Sequence, residues 1–431
     1  MRGLGARFWR MYASSATSNL ADGIGRTALP LLAATYTRSP LLISGLVTFA
    51  FLPWLLFALP SGALVDRVDR RHAMSGANVV RAVSTATLAV LVLTDLANIS
   101  VLYVVAFALG LAETVYDSAS RAILPQVVPA ERLDSANSAL TVEEMLGQTF
   151  LGAPVGSVLF TLAATTPFLI NAGGFALAAV LMLTLRGNYR PVRSDPKTSL
   201  RVDIAEGVSW LRAHRLLRGL TLVSAGAAGL SSMTSGVLVL YVLEELRLPS
   251  GDFGLVLITA GLGGLLGGLA TPPLARRLGR TVVLTGGSVL SAVTLGLMGL
   301  TRNGYLAAML FGICGAGVMT WNVLTMSLRQ ALIPHELFGR VQGAYRTLVW
   351  GAIAAGSVSG GAVASVIGLR PVFLLAGLGC LVTAVLLGLL LRANAGDLAD
   401  LPSSEAVISD QFGDRDGSLP PEQMPEAVQK L

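Results

Sequence analysis

The chain has 431 residues, 53% of them hydrophobic and only 13% charged, which leaves too little polar surface to cover a water-soluble globule. Its formal charge of +6 sits in short loops beside apolar runs, so it is a signal of membrane topology and not the footprint of a nucleic-acid partner. Only helices and closed barrels satisfy their backbone in lipid, and these runs are continuously rich in Leu, Ala and Gly without the alternation of barrel strands. The predicted class is an all-α membrane protein.

In chain order, apolar stretches of roughly 20 residues predict spans near residues 11–36, 40–61, 74–94, 99–121, 136–163 and 166–186. Six more fall near 219–243, 252–275, 281–300, 304–328, 340–366 and 370–392, which makes twelve. The basic start, Met1 to Arg10, runs into an apolar segment as a secretory signal does, but Asn19, Asp22 and Arg26 interrupt any signal core, so it reads as span one. Arginines gather after the even-numbered spans: Arg67, Arg70 and Arg71, then Arg132, the basic run from Arg186 to Arg218, and Arg276, Arg277 and Arg280. The positive-inside rule puts those loops and both termini in the cytoplasm, in a multi-pass protein of the inner (plasma) membrane. The segment from Leu200 to Leu217 alternates apolar residues with Arg201, Arg212 and Arg215 and predicts an amphipathic linker helix. After Arg392 the chain turns acidic and proline-rich and predicts a disordered tail. The expected division is an N-terminal six-helix half over 1–189, a cytoplasmic linker over 190–218, a C-terminal six-helix half over 219–392 and a cytoplasmic tail over 393–431. Cys314 and Cys380 lie inside apolar runs and read as small core residues.

The two halves repeat. Val128, Pro129 and Glu131 after span four match Ile333, Pro334 and Glu336 after span ten, and the loop from Ala63 to Arg70 aligns with that from Pro273 to Arg280. The run Gly62, Asp66, Arg67, Asp69, Arg70 and Arg71 resembles motif A of the major facilitator superfamily, a glycine, aspartate and basic cluster between helices two and three. Within that superfamily the chain resembles the siderophore and macrolide exporters (the enterobactin-exporter-like subfamily), through Ala28 to Pro30, Asp66 to Arg71 and Pro129 to Leu133. The resemblance covers roughly residues 10 to 392 and implies two pseudo-symmetric six-helix halves around a central cavity. Asp69 departs from it, since the superfamily usually has glycine there, and Arg276 stands in the second half where Asp66 stands in the first. The resemblance gives Asp66 the role of a conformational latch against helix eleven near Gly339. A helix-end carboxylate that accepts hydrogen bonds from a neighbouring helix start is a physical basis for it; a plain topogenic loop is the alternative. Gly147, Gly152, Pro154 and Gly156 in span five are similar to the antiporter motif C, with Ala153 in place of its usual glycine, and also suit simple helix packing.

Charged and amide side chains inside spans carry the chemistry, because each charge costs roughly 2.5 to 3.5 kcal/mol at a helix centre and rarely faces lipid. Ser15, Asn19, Asp22 and Arg26 share one face of span one, where Asp22 and Arg26 are spaced to pair. Glu113, Asp117 and Arg121 recur every four residues in span four, and Asn137, Thr141, Glu144 and Gln148 share a face of span five. The predicted proton-coupling set is Asp22, Arg26, Glu113, Asp117 and Glu144, with a fixed ion-pair network as the alternative for any one carboxylate; Glu143, on a neighbouring face, is expected only to pack. The second half has almost no buried acid. Its Ser231, Ser235, Trp321, Asn322 and Thr325, with Asn19 and Gln148 from the first half, are the expected substrate cavity, and Trp350 is a further aromatic candidate.

Rival activities lack their residues. Lys197 and Lys430 follow Pro196 and Gln429, so neither closes a phosphate-binding loop, and His72, His214 and His335 fall in loops where they build no intramembrane metal or hydrolase site. The expectation is a monomeric, cofactor-free secondary exporter of small amphipathic organic compounds, drug, antibiotic or siderophore-like, using protons and alternating access in the bilayer. A proton-coupled uptake symporter and a non-transporting sensor on the same fold are the alternatives.

Overall fold

The computed structural model describes residues 4–190 and 200–394. Its helices are α1 (Gly5–Tyr36), α2 (Pro40–Val65), α3 (Arg70–Leu93), α4 (Ile99–Val127), α5 (Leu133–Met145), α6 (Ala153–Leu162), α7 (Thr166–Leu183), α8 (Leu200–Ala213), α9 (Arg215–Leu240), α10 (Phe253–Leu278), α11 (Arg280–Met298), α12 (Gly304–Leu332), α13 (His335–Ile367) and α14 (Leu369–Ala393), and there is no strand among the described residues. A π-helical segment, Leu146–Gly152, joins α5 to α6 into one span. Another, Tyr241–Glu245, extends α9. The expected tail lies, from residue 395 on, outside the described residues.

Helix boundaries follow local chemistry. Asp69, Asn98 and Asn303 cap α3, α4 and α12 by accepting from backbone N–H groups of the first turn. Gly279 and Gly368, at φ +87° and +91°, each end one helix and start the next, a left-handed conformation open to glycine. Several helices run past the predicted apolar limits: α2 continues to Val65 and α12 to Leu332, because a helix whose hydrogen bonds are already propagating need not stop where its apolar run ends.

Eleven spans among the described residues are long and apolar enough to cross a membrane. The twelfth, α1, has 32 residues and runs against α7 and the whole of the fifth span; its polar face is buried by neighbours, so it needs no apolar surface there. Helices α1–α7 pack among themselves, as do α9–α14, and the two groups meet along α2–α13, α2–α9 and α6–α10. The fold is that of two pseudo-symmetric six-helix halves.

The meeting is confined to one end. A single apolar core runs through both halves at the end away from the basic loops, joining Leu31, Ile43 and Phe168 to Val237, Met298 and Phe373. At the basic end there are two cores, one per half, built around Phe8, Met74 and Ile123 and around Leu217, Leu284 and Leu387. The halves therefore form a cleft that opens toward the basic loops. At the closed end Ser357 Oγ donates to the Ser44 carbonyl at 2.8 Å, Thr48 Oγ1 to that of Ala354 at 3.1 Å, and the Gly254 N–H to Ser157 Oγ at 2.6 Å. Trp54 of α2 and Trp350 of α13, with ring centroids 3.9 Å apart, pack on each other across the contact between the halves, so Trp350 is engaged there.

A β-carbon at Gly236 on α9 would lie 2.5 Å from Ser357 Oγ and 2.9 Å from Ser44 Cβ. Gly236→Leu is expected to part α9 from α2 and α13 and open the sealed end. A cysteine introduced at Thr48 should then react several-fold faster with an impermeant maleimide than in the Gly236 background; an unchanged rate would show that this contact does not hold the seam.

Candidate functional site

The polar face of α1 organises the first half. Arg81 of α3, 1% exposed, places Nη1 3.1 Å from Asp22 Oδ2 and 3.2 Å from Ser18 Oγ. Its guanidinium lies 5.1 Å from the Tyr116 ring and 5.4 Å from that of Phe175, a cation–π enclosure in the helix interior. Ser18 donates in turn to Asn78 at 3.0 Å. Arg26 reaches the other way, to Glu113 of α4, at 2.7 Å. The expected Asp22–Arg26 pair therefore does not form: each side chain finds a partner on a neighbouring helix instead. Asp117 and Arg121 pair within α4 at 3.5 Å, the arginine largely exposed and the aspartate half-buried.

Span five departs most from a straight-helix reading. Glu143, expected only to pack, is 4% exposed and accepts from Asn19 Nδ2 at 3.0 and 3.2 Å through its two oxygens. Asn19 in turn accepts from Gln148 Nε2 at 2.9 Å. Asn19 is the hub of this chain and no free cavity wall. Glu144 is exposed, within electrostatic reach of Asp117, Arg26, Glu113 and Arg121. Glu143 and Glu144 have no ion-pair partner among the described residues. The π segment that follows inserts a residue into the helical register, so an ideal helical wheel fails for the faces beyond Met145.

The glycines of span five hold α1 close. A β-carbon at Gly152 would stand 2.6 Å from Gly23 Cα, one at Gly156 2.6 Å from the Ile24 carbonyl, and one at Gly147 3.2 Å from Asn19 Cβ. Pro154, on the opposite side, abuts Gly254 of α10. Close packing accounts for all four residues, and it is what lets Glu143 reach Asn19.

The motif A residues divide. Asp69 is buried, caps α3 through Arg71 N at 2.9 Å and accepts from Tyr189 N at 3.3 Å. Arg70 donates to the Ala122 carbonyl at 2.8 Å and Arg71 to that of Leu185 at 2.9 Å. Together they tie the start of α3 to the ends of α4 and α7. Asp66 and Arg67 are exposed, and both Gly62 and Gly339 face open space, so motif A and α13 stand apart with the cleft open.

In the second half a cavity of about 190 Å³ lies between α9, α11, α12, α13 and α14. Ser224, Ser231, Trp321, Asn322 and Tyr345 line it, together with Cys380. Ser231 and Cys380 are 3.7 Å apart. Trp321, Asn322 and Ser231 thus line one cavity together. Thr325 does not: it is buried, its hydroxyl donating to the Trp321 carbonyl at 2.7 Å. Ser235 is exposed one turn beyond the cavity and donates to the Ser231 carbonyl at 3.5 Å.

Sequence reasoning missed Arg81, which the structure makes the most buried cation of the described residues. The signal was present: a lone arginine flanked by Val79 and Val80 in a predicted span is a functional candidate by its desolvation cost alone.

The sequence pattern of the Major Facilitator Superfamily matches residues 11–357 and 222–415. This chain belongs to the major facilitator superfamily. The multidrug efflux pump Tap of Mycolicibacterium fortuitum is 29% identical over 399 residues, 90% of this chain and 96% of that protein. Macrolide efflux protein A of Streptococcus pyogenes is 22% identical, covering 86% and 92%, and the enterobactin exporter EntS of Shigella boydii 24%, covering 88% and 86%. Among solved structures, a variant of the nucleoside transporter NupG superposes with a TM-score of 0.77 at 12% identity, covering 89% of this chain and 99% of that one. A bacterial homolog of the human lysosomal transporter Spinster, inward-facing and unoccupied, superposes with a TM-score of 0.72 at 13% identity, covering 94% and 100%. The chain is a multi-pass membrane transporter of small molecules and no enzyme.

Removing one member of a buried ion pair leaves the other charge uncompensated, at a cost of about 3–5 kcal/mol. Arg81→Gln is therefore expected to lower the thermal unfolding temperature in detergent sharply, and Asp22→Asn added to it should recover part of the loss. Unfolding of the single variant at the wild-type temperature would show that Asp22 does not depend on Arg81.

Proposed function

We propose that the protein exports small amphipathic organic compounds by proton antiport and alternating access, and that the structure corresponds to its inward-open state. The homologous drug, macrolide and enterobactin exporters support the direction of transport. The observation that carries the coupling is the concentration of carboxylates in the first half: Asp22, Glu113, Asp117, Glu143 and Glu144 gather around α1 at the cleft, and two of them have no cation of their own. A carboxylate without a counter-charge in a low-dielectric wall is a proton acceptor whose occupancy follows its exposure. Closing the basic end and opening the seam changes that exposure. Asp66 then meets the start of α13, where the helix N-terminus favours its charge, and holds the closed form. The basic loops set both termini in the cytoplasm, and the protein works as a monomer, since one chain encloses the whole pathway.

The test is proton movement in proteoliposomes on adding cationic dyes, macrolides or siderophores, with wild type beside Glu143→Gln, Glu144→Gln and Asp22→Asn. Proton flux opposite to the substrate, abolished by at least one of these, is the expected result. Flux in the substrate's direction would make the protein a symporter, and equal antiport in all three variants would remove the first-half acids from the coupling.

A further inference from the structure

The second half holds positive charge that its own acids do not neutralise. Arg329 of α12 is 9% exposed. It donates Nε to the Thr325 carbonyl at 3.2 Å and Nη2 to Met326 Sδ at 3.8 Å, and its buried Nη1 has no hydrogen-bond partner. Its guanidinium lies 3.8 Å from the Tyr345 ring centroid. Arg346, the next residue along α13, is half-buried and within electrostatic reach of Arg329, and of Asp117 and Arg121 across the cleft. Asp117 is already engaged with Arg121 at 3.5 Å. Neither Arg329 nor Arg346 has a carboxylate at ion-pair distance among the described residues.

Two desolvated guanidinium groups this close together call for an anion, because a buried arginine is stable only with a counter-charge or water around it. Tyr345 is the link to the ligand space: its ring stacks on Arg329 and also lines the 190 Å³ cavity beside Trp321 and Asn322. A group that displaces this one side chain meets Arg329 directly. We propose that this corner of the cavity is an anion-binding subsite, in which Arg329 and Arg346 take the carboxylate, sulfonate or phosphate of an aromatic substrate while Trp321 and Tyr345 cover its ring. Guanidinium suits such groups because its fork matches two oxygens at once, and the apolar surroundings strengthen the pairing. The proposal rests on the exporter reading for the identity of the cavity as the substrate's. The same chemistry admits a lipid phosphate.

Binding, read without flux, separates this proposal from the exporter reading. Carboxyfluorescein and a cationic rhodamine ester share a xanthene frame and differ in charge, so their anisotropy on the full chain in phosphatidylcholine nanodiscs isolates the charge term. Carboxyfluorescein affinity is expected to fall about tenfold in Arg346→Gln and in Arg329→Gln, to survive largely in Arg329→Lys, and rhodamine affinity to stay unchanged. Equal losses for both dyes, or none for carboxyfluorescein in Arg346→Gln, which removes the less buried cation, would overturn the subsite. Nanodiscs with phosphatidylglycerol provide the second arm: competition against carboxyfluorescein that disappears in Arg346→Gln would assign the arginines to a lipid headgroup and overturn the substrate form. Arginine-dependent dye binding without vesicle transport would leave the subsite standing and count against export instead.

Discussion

A charge held inside this bundle is costly wherever nothing opposes it, and the Asp22–Arg81 contact is where that cost is met most fully. Arg81 is sealed from both lipid and water, enclosed by Tyr116 and Phe175 and bonded to α1 through Asp22 and Ser18. That contact fixes the rotation of α1 about its axis. Once α1 is so oriented, Asn19 faces Glu143, Arg26 faces Glu113, and Gly23 faces the glycines of span five. The polar network of the first half is thus one consequence of a single buried pair.

The small residues make the network possible. Span five approaches α1 closely at Gly147, Gly152 and Gly156, and the π segment turns the helix enough to keep Gln148 and Glu143 both on Asn19. Packing and chemistry share residues: a methyl group at Gly152 would separate helices whose polar contacts depend on their distance. The same economy operates at the sealed end, where Gly236 and Gly254 bring the halves into hydrogen-bonding range.

The two halves share a fold and differ in charge. The first concentrates acids along the cleft, and the second pairs an apolar, serine-lined cavity with Arg329 and Arg346. Motif A is intact in only one of them, and there Asp69, Arg70 and Arg71 are consumed in bracing α3 against α4 and α7. This leaves Asp66 and Arg67 as the exposed residues of the motif. Repetition supplies the scaffold, and divergence of the side chains separates an acid-rich half from one that sets a serine-lined cavity beside unneutralised arginines.

By itself the sequence determined the helical class, the spans, the motif between helices two and three, and the concentration of carboxylates in the first half, because each follows from local composition and from the cost of charge in lipid. It also marked Trp321, Asn322 and Ser231, which share helix faces that do line the cavity. Only the tertiary structure decided who pairs with whom. Asp22 and Arg26 lie one turn apart in sequence yet choose Arg81 and Glu113, since contacts between helices are set by axial rotation and crossing distance, neither of which a helical wheel contains. For the same reason it is Glu143, expected only to pack, that bonds Asn19 while Glu144 stays exposed, and the π segment that follows breaks the regular period for the rest of span five.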